Sequence, residues 1–407
     1  MSSLFGHFED RRRRYWGRAL LAVTSAGLLF AACGSPSSST GSGKSSGSYS
    51  VGEVDDLTAG LTFLDVPWHQ GLVAAIDGIN ARGGVKGHRI HLITLDSAGS
   101  ATQGVTDFHQ LVSVDHVSAV VGVGDSIVDA ALLPLATAAH VPIVAVAPPS
   151  SEVFPVSRDM FEYSPSTSAE AESELSYLHS IAGSSGTGRV AVFGYDTPQG
   201  HGLATAVASD AAKYGFTVAG DFLVAPTATD YSTDAAEIAQ GHVTAIATGV
   251  AGPSVVTLMK DLKAVGMPTS TPITAFAGVN VPAAPWSSFA IVADYRTTGS
   301  QPGVVNYRHD VAAAGYDPSS PTVVEGYAGG MLLSQALGQC GFPCPATSLE
   351  TALTKVKTDL SGLAFGPVVW SPKFHEGPTV FSMLTYTAQG QPATYAAPVT
   401  VYPASSY

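Results

Sequence analysis

One segment combines small residues with polar side chains where a parallel sheet can hold a ligand, at the carboxyl end of a strand. Val121–Ser126 reads Val-Gly-Val-Gly-Asp-Ser. Gly124 and the glycine two residues before it let the backbone approach a ligand, and the helix that follows Ser126 offers free N–H groups to a carboxylate. In a second interpretation, Ser126 and Asp129 form a capping box for that helix. Asp125 would repel an anionic ligand.

The sequence carries no recognisable catalytic or metal-binding signature. Its 12 histidines are scattered and form no His-Glu-x-x-His motif. Val121–Ser126 lacks the third glycine and the later acid that a dinucleotide site needs. Three cysteines are too few for a disulfide scaffold or a four-thiolate metal site. We therefore expect a protein that is not an enzyme and has no catalytic residues, no cofactor and no metal.

Charge and length narrow the class of protein further. The chain has 19 Lys and Arg against 32 Asp and Glu, a net charge of −13. Residues 1–32 contain five Arg and two acids, so the rest carries 14 basic and 30 acidic groups, or −16. Such a chain is a poor partner for nucleic acid. Its 407 residues, 45% hydrophobic and 13% charged, favour a globular protein of two lobes.

The amino-terminal region has the features of an export signal. Arg11–Arg14 precede an apolar stretch, Ala19–Ala32, and then Cys33. As a helix the stretch would span roughly 21 Å, which is shorter than the hydrocarbon core of a bilayer. A basic start with a short apolar middle is typical of a signal sequence. Leu29–Cys33 resembles a bacterial lipobox, in which Cys33 would be lipidated. An ordinary signal with an incidental cysteine is the alternative, and the Sec and twin-arginine routes both remain open.

The segment after the signal is rich in Ser and Gly. Residues 33–50 contain no apolar run and predict a flexible tether. Acyl chains on Cys33 would supply membrane affinity without a transmembrane helix. We therefore expect a monomeric protein that is anchored by lipid to the outer face of the cytoplasmic membrane.

From residue 51 onward, apolar strands alternate with amphipathic helices. The spacing of apolar residues predicts helices at 68–79, 105–112, 127–139, 169–181, 202–214, 254–265 and 325–337, and the order of elements predicts a further helix before 243. Apolar runs predict strands at 49–54, 90–95, 117–121, 141–147, 189–193, 217–219, 243–248 and 272–276. This alternation indicates parallel sheets that are covered on both faces. The predicted fold class is α/β with two Rossmann-like lobes.

The predicted hinge between the lobes lies near Ser164–Ser168. Residues 290–407 are too few and too mixed for a lobe of their own, so we expect them to complete both lobes. The predicted limits are 1–32 for the signal, 33–50 for the tether, 51–167 with 292–376 for lobe 1, and 168–291 with 377–407 for lobe 2.

Several segments, in order, resemble type I periplasmic binding proteins, specifically the Leu/Ile/Val-binding (branched-chain amino-acid) solute receptors of ABC transporters. They are 79–100, 110–126 and 133–150 in the first lobe, and 188–204, 228–238, 259–273 and 366–377 beyond it. The resemblance covers residues 49–402. It implies a binder that closes two lobes, joined by three hinge crossings, on a small-molecule solute and then docks on an ABC permease in the membrane.

The resemblance also assigns ligand contacts in the first lobe. Ser126 matches the family position whose hydroxyl holds the ligand carboxylate. The loop Ala147-Pro148-Pro149-Ser150 matches one that offers backbone groups and a hydroxyl. Pro149 stands where the hydroxyl residue is usual, so Ser150 or its neighbour Ser151 would substitute. An ordinary proline-rich loop is the alternative for this segment.

The corresponding positions in the second lobe depart from the family pattern. Gln199 stands at a position that is often aromatic, and Val250-Ala251 lack the usual aromatic contact. Ala277, after Phe276, replaces the acid that holds the ligand ammonium in amino-acid binders. A buried ammonium without a carboxylate costs several kcal/mol. We therefore expect a small apolar acid or amide; an amino acid is the alternative, held through Asp125 or Asp196.

Cys340 and Cys344 are four residues apart and enclose a glycine and a proline. Outside the cytoplasm a disulfide is the expected state of such a pair, and a tight loop allows its geometry. Two other functions stay open at this point. One is a ligand sensor of the same fold for a signalling partner, and the other is an exported enzyme.

Overall fold

The structure is a computed structural model that describes residues 47–146, 156–157, 159–182, 188–250, 252–276, 286–386 and 392–401. Several predictions fall outside these residues. They concern the signal sequence, nearly all of the tether, the lipidation site Cys33, the loop Ala147–Ser150, and the two positions Ala251 and Ala277.

Helices and strands alternate through most of the described chain. The helices are α1 (Thr62–Ala81), α2 (Ala101–Ser113), α3 (Ser126–Ala139), α4 (Thr167–Ala182), α5 (Pro198–Asp210), α6 (Ser232–Gln240), α7 (Gly252–Ala264), α8 (Pro302–Ala313), α9 (Pro321–Cys340) and α10 (Ala346–Leu353). The strands are β1 (Tyr49–Asp55), β2 (Ile90–Asp96), β3 (Val120–Gly122), β4 (Ile143–Ala145), β5 (Met160–Glu162), β6 (Gly188–Tyr195), β7 (Phe216–Val224), β8 (Ala245–Gly249), β9 (Ile273–Ala275), β10 (Phe289–Ala293), β11 (Lys357–Thr358), β12 (Val368–Val369), β13 (Val380–Tyr386), β14 (Pro392–Tyr395) and β15 (Val399–Thr400).

Lobe 1 is built on a parallel sheet with the strand order β2-β1-β3-β4-β5. Successive side chains of a strand point to opposite faces, so β1 contributes to two cores. Val51 packs in the same cluster as Trp68 and Leu72 of α1, which lies on one face. Val54 packs with Phe108 of α2 on the other face. The sheet is thus covered on both sides.

Lobe 2 is built on a sheet with the order β14-β13-β10-β9-β8-β6-β7. Strands β6 to β10 are parallel, whereas β13 runs antiparallel to β10, and β14 runs antiparallel to β13. Val190 packs with Leu175 of α4 on one face, and Phe193 packs in the cluster of Ile238 and Leu258 on the other. These two sheets, each between helices, confirm the predicted fold class.

The chain passes between the two sheets at three places, which contact one another. The first follows β5, the second follows β10, and the third lies between β12 and β13. The Tyr295 hydroxyl of the second donates to the backbone oxygen of Tyr163 in the first. The Glu162 N–H donates to the His375 carbonyl of the third, at 2.9 Å. Residues 290–386 therefore contribute both to lobe 1, through α8 and α9, and to the sheet of lobe 2.

The structure differs from the predicted elements in several places. Helices α8 and α10 and strand β5 are absent from the prediction. The predicted helix 202–214 is α5, which begins earlier because Thr197 caps it, followed by a short 3₁₀ turn. Strand β7 continues five residues past 219. Strand β1 starts at Tyr49, as predicted for 49–54, so the last two residues of the segment 33–50 belong to the fold and not to the tether. None of the described helices is long and apolar enough to cross a membrane.

Two glycines let α1 and α9 pack with their backbones almost in contact. A β-carbon at Gly71 would lie 2.1 Å from the Val323 carbonyl oxygen, and one at Gly326 would lie 1.9 Å from that of Trp68. Only glycine fits at such distances. The contact sets the position of α1, and with it the side chains that α1 presents to the end of β1.

The carboxyl end of α9 is linked covalently to the loop that follows it. The structure joins Cys340 to Cys344, the pair for which the sequence predicts a disulfide, with a Cα–Cα distance of 5.7 Å. The Ser118 hydroxyl donates to the Cys344 carbonyl at 2.6 Å, which ties this loop to the segment before β3.

Candidate ligand site

The order of strands in lobe 1 places a crevice between β1 and β3. In the order β2-β1-β3-β4-β5 the winding direction reverses at this pair, and open parallel sheets bind ligands outside the carboxyl ends of the strands at such a point. The loops after Asp55 and after Gly122 flank the crevice. Gly122 and Val123 both have positive φ angles, of 98° and 43°. This conformation is rare for valine and turns the chain sharply into α3.

Asp125, not Ser126, caps α3. Its Oδ1 accepts a hydrogen bond from the Ile127 N–H at 2.9 Å, and its carbonyl accepts from the N–H groups of Val128 and Asp129, each at 2.9 Å. The capping box predicted from Ser126 and Asp129 is therefore wrong, because the helix begins one residue earlier than that motif requires. Asp125 also takes up N–H donors that an anionic ligand would need.

Four acids surround the crevice, and we call them the switch-point carboxylates. They are Asp55 and Asp56 at the end of β1, Asp65 in the first turn of α1, and Asp125. All four are at most 4% exposed. None of them forms a salt bridge with a lysine or arginine in the part of the chain that the structure describes. The crevice is consequently rich in negative charge or in protonated carboxyls.

Burial dominates the electrostatics of these groups. It raises the pKa of Asp65 well above its usual range, and the neighbouring Asp125 raises it further. Burial likewise raises the pKa of Asp125, with a further contribution from Asp56. Asp65 Oδ1 accepts no hydrogen bond from any described residue. A ligand group that carries a positive charge or N–H donors would relieve both effects.

Hydrogen bonds hold the loop between β1 and α1 in place. Asp56 accepts from the N–H groups of Ala59 at 2.7 Å and Leu61 at 2.8 Å. Its own N–H donates to Asp65 Oδ2 at 2.8 Å. Asp96, at the end of β2, accepts from the Leu57 N–H at 3.0 Å. The loop is thus preorganised by carboxylates of two neighbouring strands.

Trp68 forms the floor beneath Gly124. A β-carbon at Gly124 would lie 2.5 Å from the indole ring, so the loop after β3 rests directly on it. The indole N–H donates to Glu325 Oε2 of α9 at 2.6 Å. Burial and then Asp294 raise the pKa of Glu325 well above its usual range. The tryptophan therefore links the candidate site to the helix that completes lobe 1.

The strand ends of lobe 2 present mainly apolar groups. Val250 after β8 is fully buried and Phe276 after β9 is 3% exposed. Tyr195 ends β6 and donates its hydroxyl to Ser254 Oγ at 2.8 Å. Gln199, in the first turn of α5, is half-buried. Asp196 is exposed and lies 2.8 Å from His201 Nε2, so its carboxylate is already paired.

The structure thus groups Gly124, Asp125 and Ser126 in lobe 1, and Gln199, Val250 and Phe276 at the corresponding edge of lobe 2. Helices α3 and α5 contact each other, which brings the two groups toward the same cleft. Their contact with a ligand stays a prediction. Sequence reasoning missed Asp55, Asp56, Asp65 and Trp68. The signal for the first two was an acidic pair directly after the first strand.

Residues 48–391 match the family of periplasmic binding proteins. The chain belongs to this family. The predicted resemblance to type I periplasmic binding proteins is confirmed, and the extracytoplasmic solute-binding proteins of ABC transporters are its relatives. Among curated proteins, no sequence matches the chain significantly.

Solved structures share the fold at low sequence identity. An ABC transporter substrate-binding protein from Aeropyrum pernix has a TM-score of 0.77 at 18% identity, over 88% of this chain and 97% of that one. A branched-chain amino acid ABC transporter protein from Thermus thermophilus with bound valine has a TM-score of 0.77 at 15% identity, over 87% and 96%. A solute-binding protein of an ABC transporter from R. palustris in complex with 4-hydroxybenzoate has a TM-score of 0.73 at 17% identity, over 88% and 98%.

Proposed function

We propose that this protein is the lipid-anchored solute-binding component of an ABC importer and that its lobes close on a small organic solute. The family supports an extracytoplasmic binder with a permease partner. The proposal is supported by the buried carboxylates around the crevice between β1 and β3, together with the apolar residues that follow the strands of lobe 2. Such a cleft orients a solute that has one polar and one apolar end.

The polar end of the solute is an amine or an amide in this proposal. A free carboxylate would meet the switch-point carboxylates, whose charge opposes it, and Asp125 already uses donors of the α3 terminus. An ammonium or amide N–H would instead satisfy Asp65 Oδ1 and Asp125. Of the acids, amides and amino acids expected from the sequence, simple acids therefore fit least well. The buried side chains Val250 and Phe276 suit an apolar remainder.

A thermal-shift series with matched skeletons tests the solute class. The probes are 3-methylbutylamine, 3-methylbutanamide, 3-methylbutanoic acid and leucine, together with benzylamine, benzamide and benzoic acid. A ligand at 100 times its Kd stabilises the folded state by about 2.7 kcal/mol, which such a screen detects. We expect amines or amides to give the largest shifts. A larger shift with the acid of either skeleton would contradict this solute class.

Small-angle scattering tests lobe closure with whichever probe binds. We expect the radius of gyration to fall when the probe is added. An unchanged radius in the presence of a bound probe would show that the lobes do not close on it.

Replacing Cys33 with Ser tests the anchor. The tether would place the lobes within reach of a permease only if acyl chains hold Cys33 at the membrane. We expect the Cys33→Ser protein to appear in the soluble extracytoplasmic fraction, while the wild type stays with membranes. Membrane retention of the variant would overturn lipid anchoring and leave the solute-binding proposal untouched.

A further inference from the structure

A second cluster of ligand-type side chains shares Asp55 with the switch-point carboxylates and includes a histidine. Glu53 and Asp55 are two residues apart on β1, so their side chains share the face of the sheet that α1 covers. His69 of α1 meets them there, with Nδ1 2.8 Å from Glu53 Oε2. One ligand atom from each of the three residues can be chosen such that all lie within 4.8 Å of one another.

Three carboxyl oxygens of this cluster accept no hydrogen bond from any described residue. Glu53 Oε2 accepts from Thr94 Oγ1 at 2.5 Å as well as contacting His69. Glu53 Oε1 and both oxygens of Asp55 are buried, and no described residue donates a hydrogen bond to them. Glu53 is 0% and Asp55 2% exposed. A buried carboxylate without a hydrogen-bond donor is unfavourable, so a proton or a cation is needed between the two carboxyl groups.

Gly122 on the neighbouring strand keeps space open over the cluster. A β-carbon there would lie 2.9 Å from Asp55 Oδ1 and 3.2 Å from Glu53 Cγ.

A route from solvent also reaches the cluster. The His69 side chain is 25% exposed. A groove of about 500 Å³ runs between α1 and the edge strand β2, and Asp77, Asn80 and Thr94 are among its lining residues. Thr94 is the residue that donates to Glu53, so this groove ends beside the cluster.

We propose that Glu53, Asp55 and His69 bind one divalent metal ion of the Zn²⁺ or Mn²⁺ class. Ligand atoms on such an ion lie about 2.0–2.2 Å from it and hence roughly 3 Å from each other. The 2.8 Å between His69 Nδ1 and Glu53 Oε2 fits that spacing. Imidazole with two carboxylates favours Zn²⁺ or Mn²⁺ over Ca²⁺ and Mg²⁺, which prefer all-oxygen sites. The sequence predicts no metal site, because the three ligands come from two elements and match no local motif.

Metal binding to the full-length, tag-free protein tests the proposal. The protein is treated with EDTA, desalted, and titrated with ZnCl₂ or MnCl₂ by calorimetry, with metal content measured by plasma mass spectrometry. We expect one ion per chain and a higher Tm in the loaded protein. Asp55→Asn and His69→Gln should each weaken binding at least tenfold.

His201→Gln is the matched control. His201 and Asp196 form an exposed pair at the same 2.8 Å distance, so this variant should bind the ion as the wild type does. If Asp55→Asn fails to fold, His69→Gln decides the outcome, because the His69 side chain is partly exposed and so tolerates substitution better. Failure of both metals to bind at 1 mM, or wild-type affinity in His69→Gln, would overturn the proposal. A wild type without metal response whose Tm rises on Asp55→Asn would show that the two carboxyls share a proton instead.

Discussion

Both lobes have parallel strands between helices, but the residues at the carboxyl ends of these strands are acidic in lobe 1 and mainly apolar in lobe 2. In lobe 1, β1 ends in Asp55, and Asp65 and Asp125 are buried around the crevice. In lobe 2, β8 and β9 are followed by Val250 and Phe276, and the acid that follows β6, Asp196, is exposed and paired. In the proposed function, this difference lets lobe 1 recognise a polar, donor-bearing group while lobe 2 provides an apolar wall.

Lobe 2 also contains buried acids: Asp294 directly follows β10, at the second crossing, whereas Glu174 lies under the sheet and away from the strand ends. Glu174 of α4 is fully buried, and burial raises its pKa to about 8. It belongs to the packing of α4 against β8, β9 and β10. Glu174 therefore belongs to the packed interior of lobe 2, whereas the buried acids of lobe 1 lie beside a crevice that can hold a ligand.

We expect the largest effect on stability from the close contact between α1 and α9, which positions the polar residues of lobe 1. Gly326→Ala would drive a β-carbon into the Trp68 carbonyl, 1.9 Å away, and so separate α1 from α9. We expect the free energy of unfolding to fall by about 3 kcal/mol, measured by urea denaturation. Gly338→Ala in the same helix is the control. Its β-carbon would lie no closer than 3.7 Å to Val85, so the free energy should stay equal or rise. Equal losses in both variants would contradict the close-contact account.

A smaller effect should distinguish the buried acid of lobe 2 from those of lobe 1. The pKa of Glu174 in the folded state, about 8, exceeds its ordinary value of 4.5. The folded state therefore binds more protons between these pH values, and its stability falls as pH rises through that range. Glu174→Gln should remove this loss and be more stable than the wild type at pH 9 by at least about 1 kcal/mol. At pH 5 the two should be similar.

Thermal denaturation across pH 5 to 9 measures this difference, with Glu237→Gln on the exposed face of α6 as the control. The control should follow the wild-type curve. A Glu174→Gln protein whose pH dependence matches the wild type would show that Glu174 is ionised without cost.

The smallest expected effect concerns ligand affinity. It tests whether lobe 1 binds the polar end of the ligand and lobe 2 the apolar end. Asp125→Asn keeps a good helix cap but removes the charge, so stability should not change. We expect about tenfold weaker binding of an amine probe, because a charged hydrogen bond contributes more than a neutral one, and little change for the matching amide. Phe276→Leu should weaken both probes alike. Calorimetric titration of each variant with each probe measures these affinities. Equal losses for amine and amide in Asp125→Asn would show that Asp125 does not recognise the charge of the ligand.

Local patterns in the sequence were sufficient for most elements of the fold. The apolar runs around Val51 and Val190 predicted strands, and the spacing of Trp68, Leu72 and Ile79 predicted α1, because burial on one face imposes a period of 2 or 3.6 residues. The elements that escaped prediction, such as α8 and β5, are short or carry weak periodicity. The cap of α3 was misplaced by one residue because Asp125 and Ser126 are both good N-caps, and only the backbone decides between them.

The sequence by itself thus determined the α/β class, the family and the loop from Gly122 to Ser126 as a candidate site. Only the tertiary structure decided which acids surround that loop. Asp65 meets Asp125 because the winding of the sheet reverses between β1 and β3, and His69 meets Glu53 because α9 holds α1 over β1. Both contacts depend on strand order and helix packing. These bring together residues that are far apart in the chain, so no periodic pattern in the sequence predicts them.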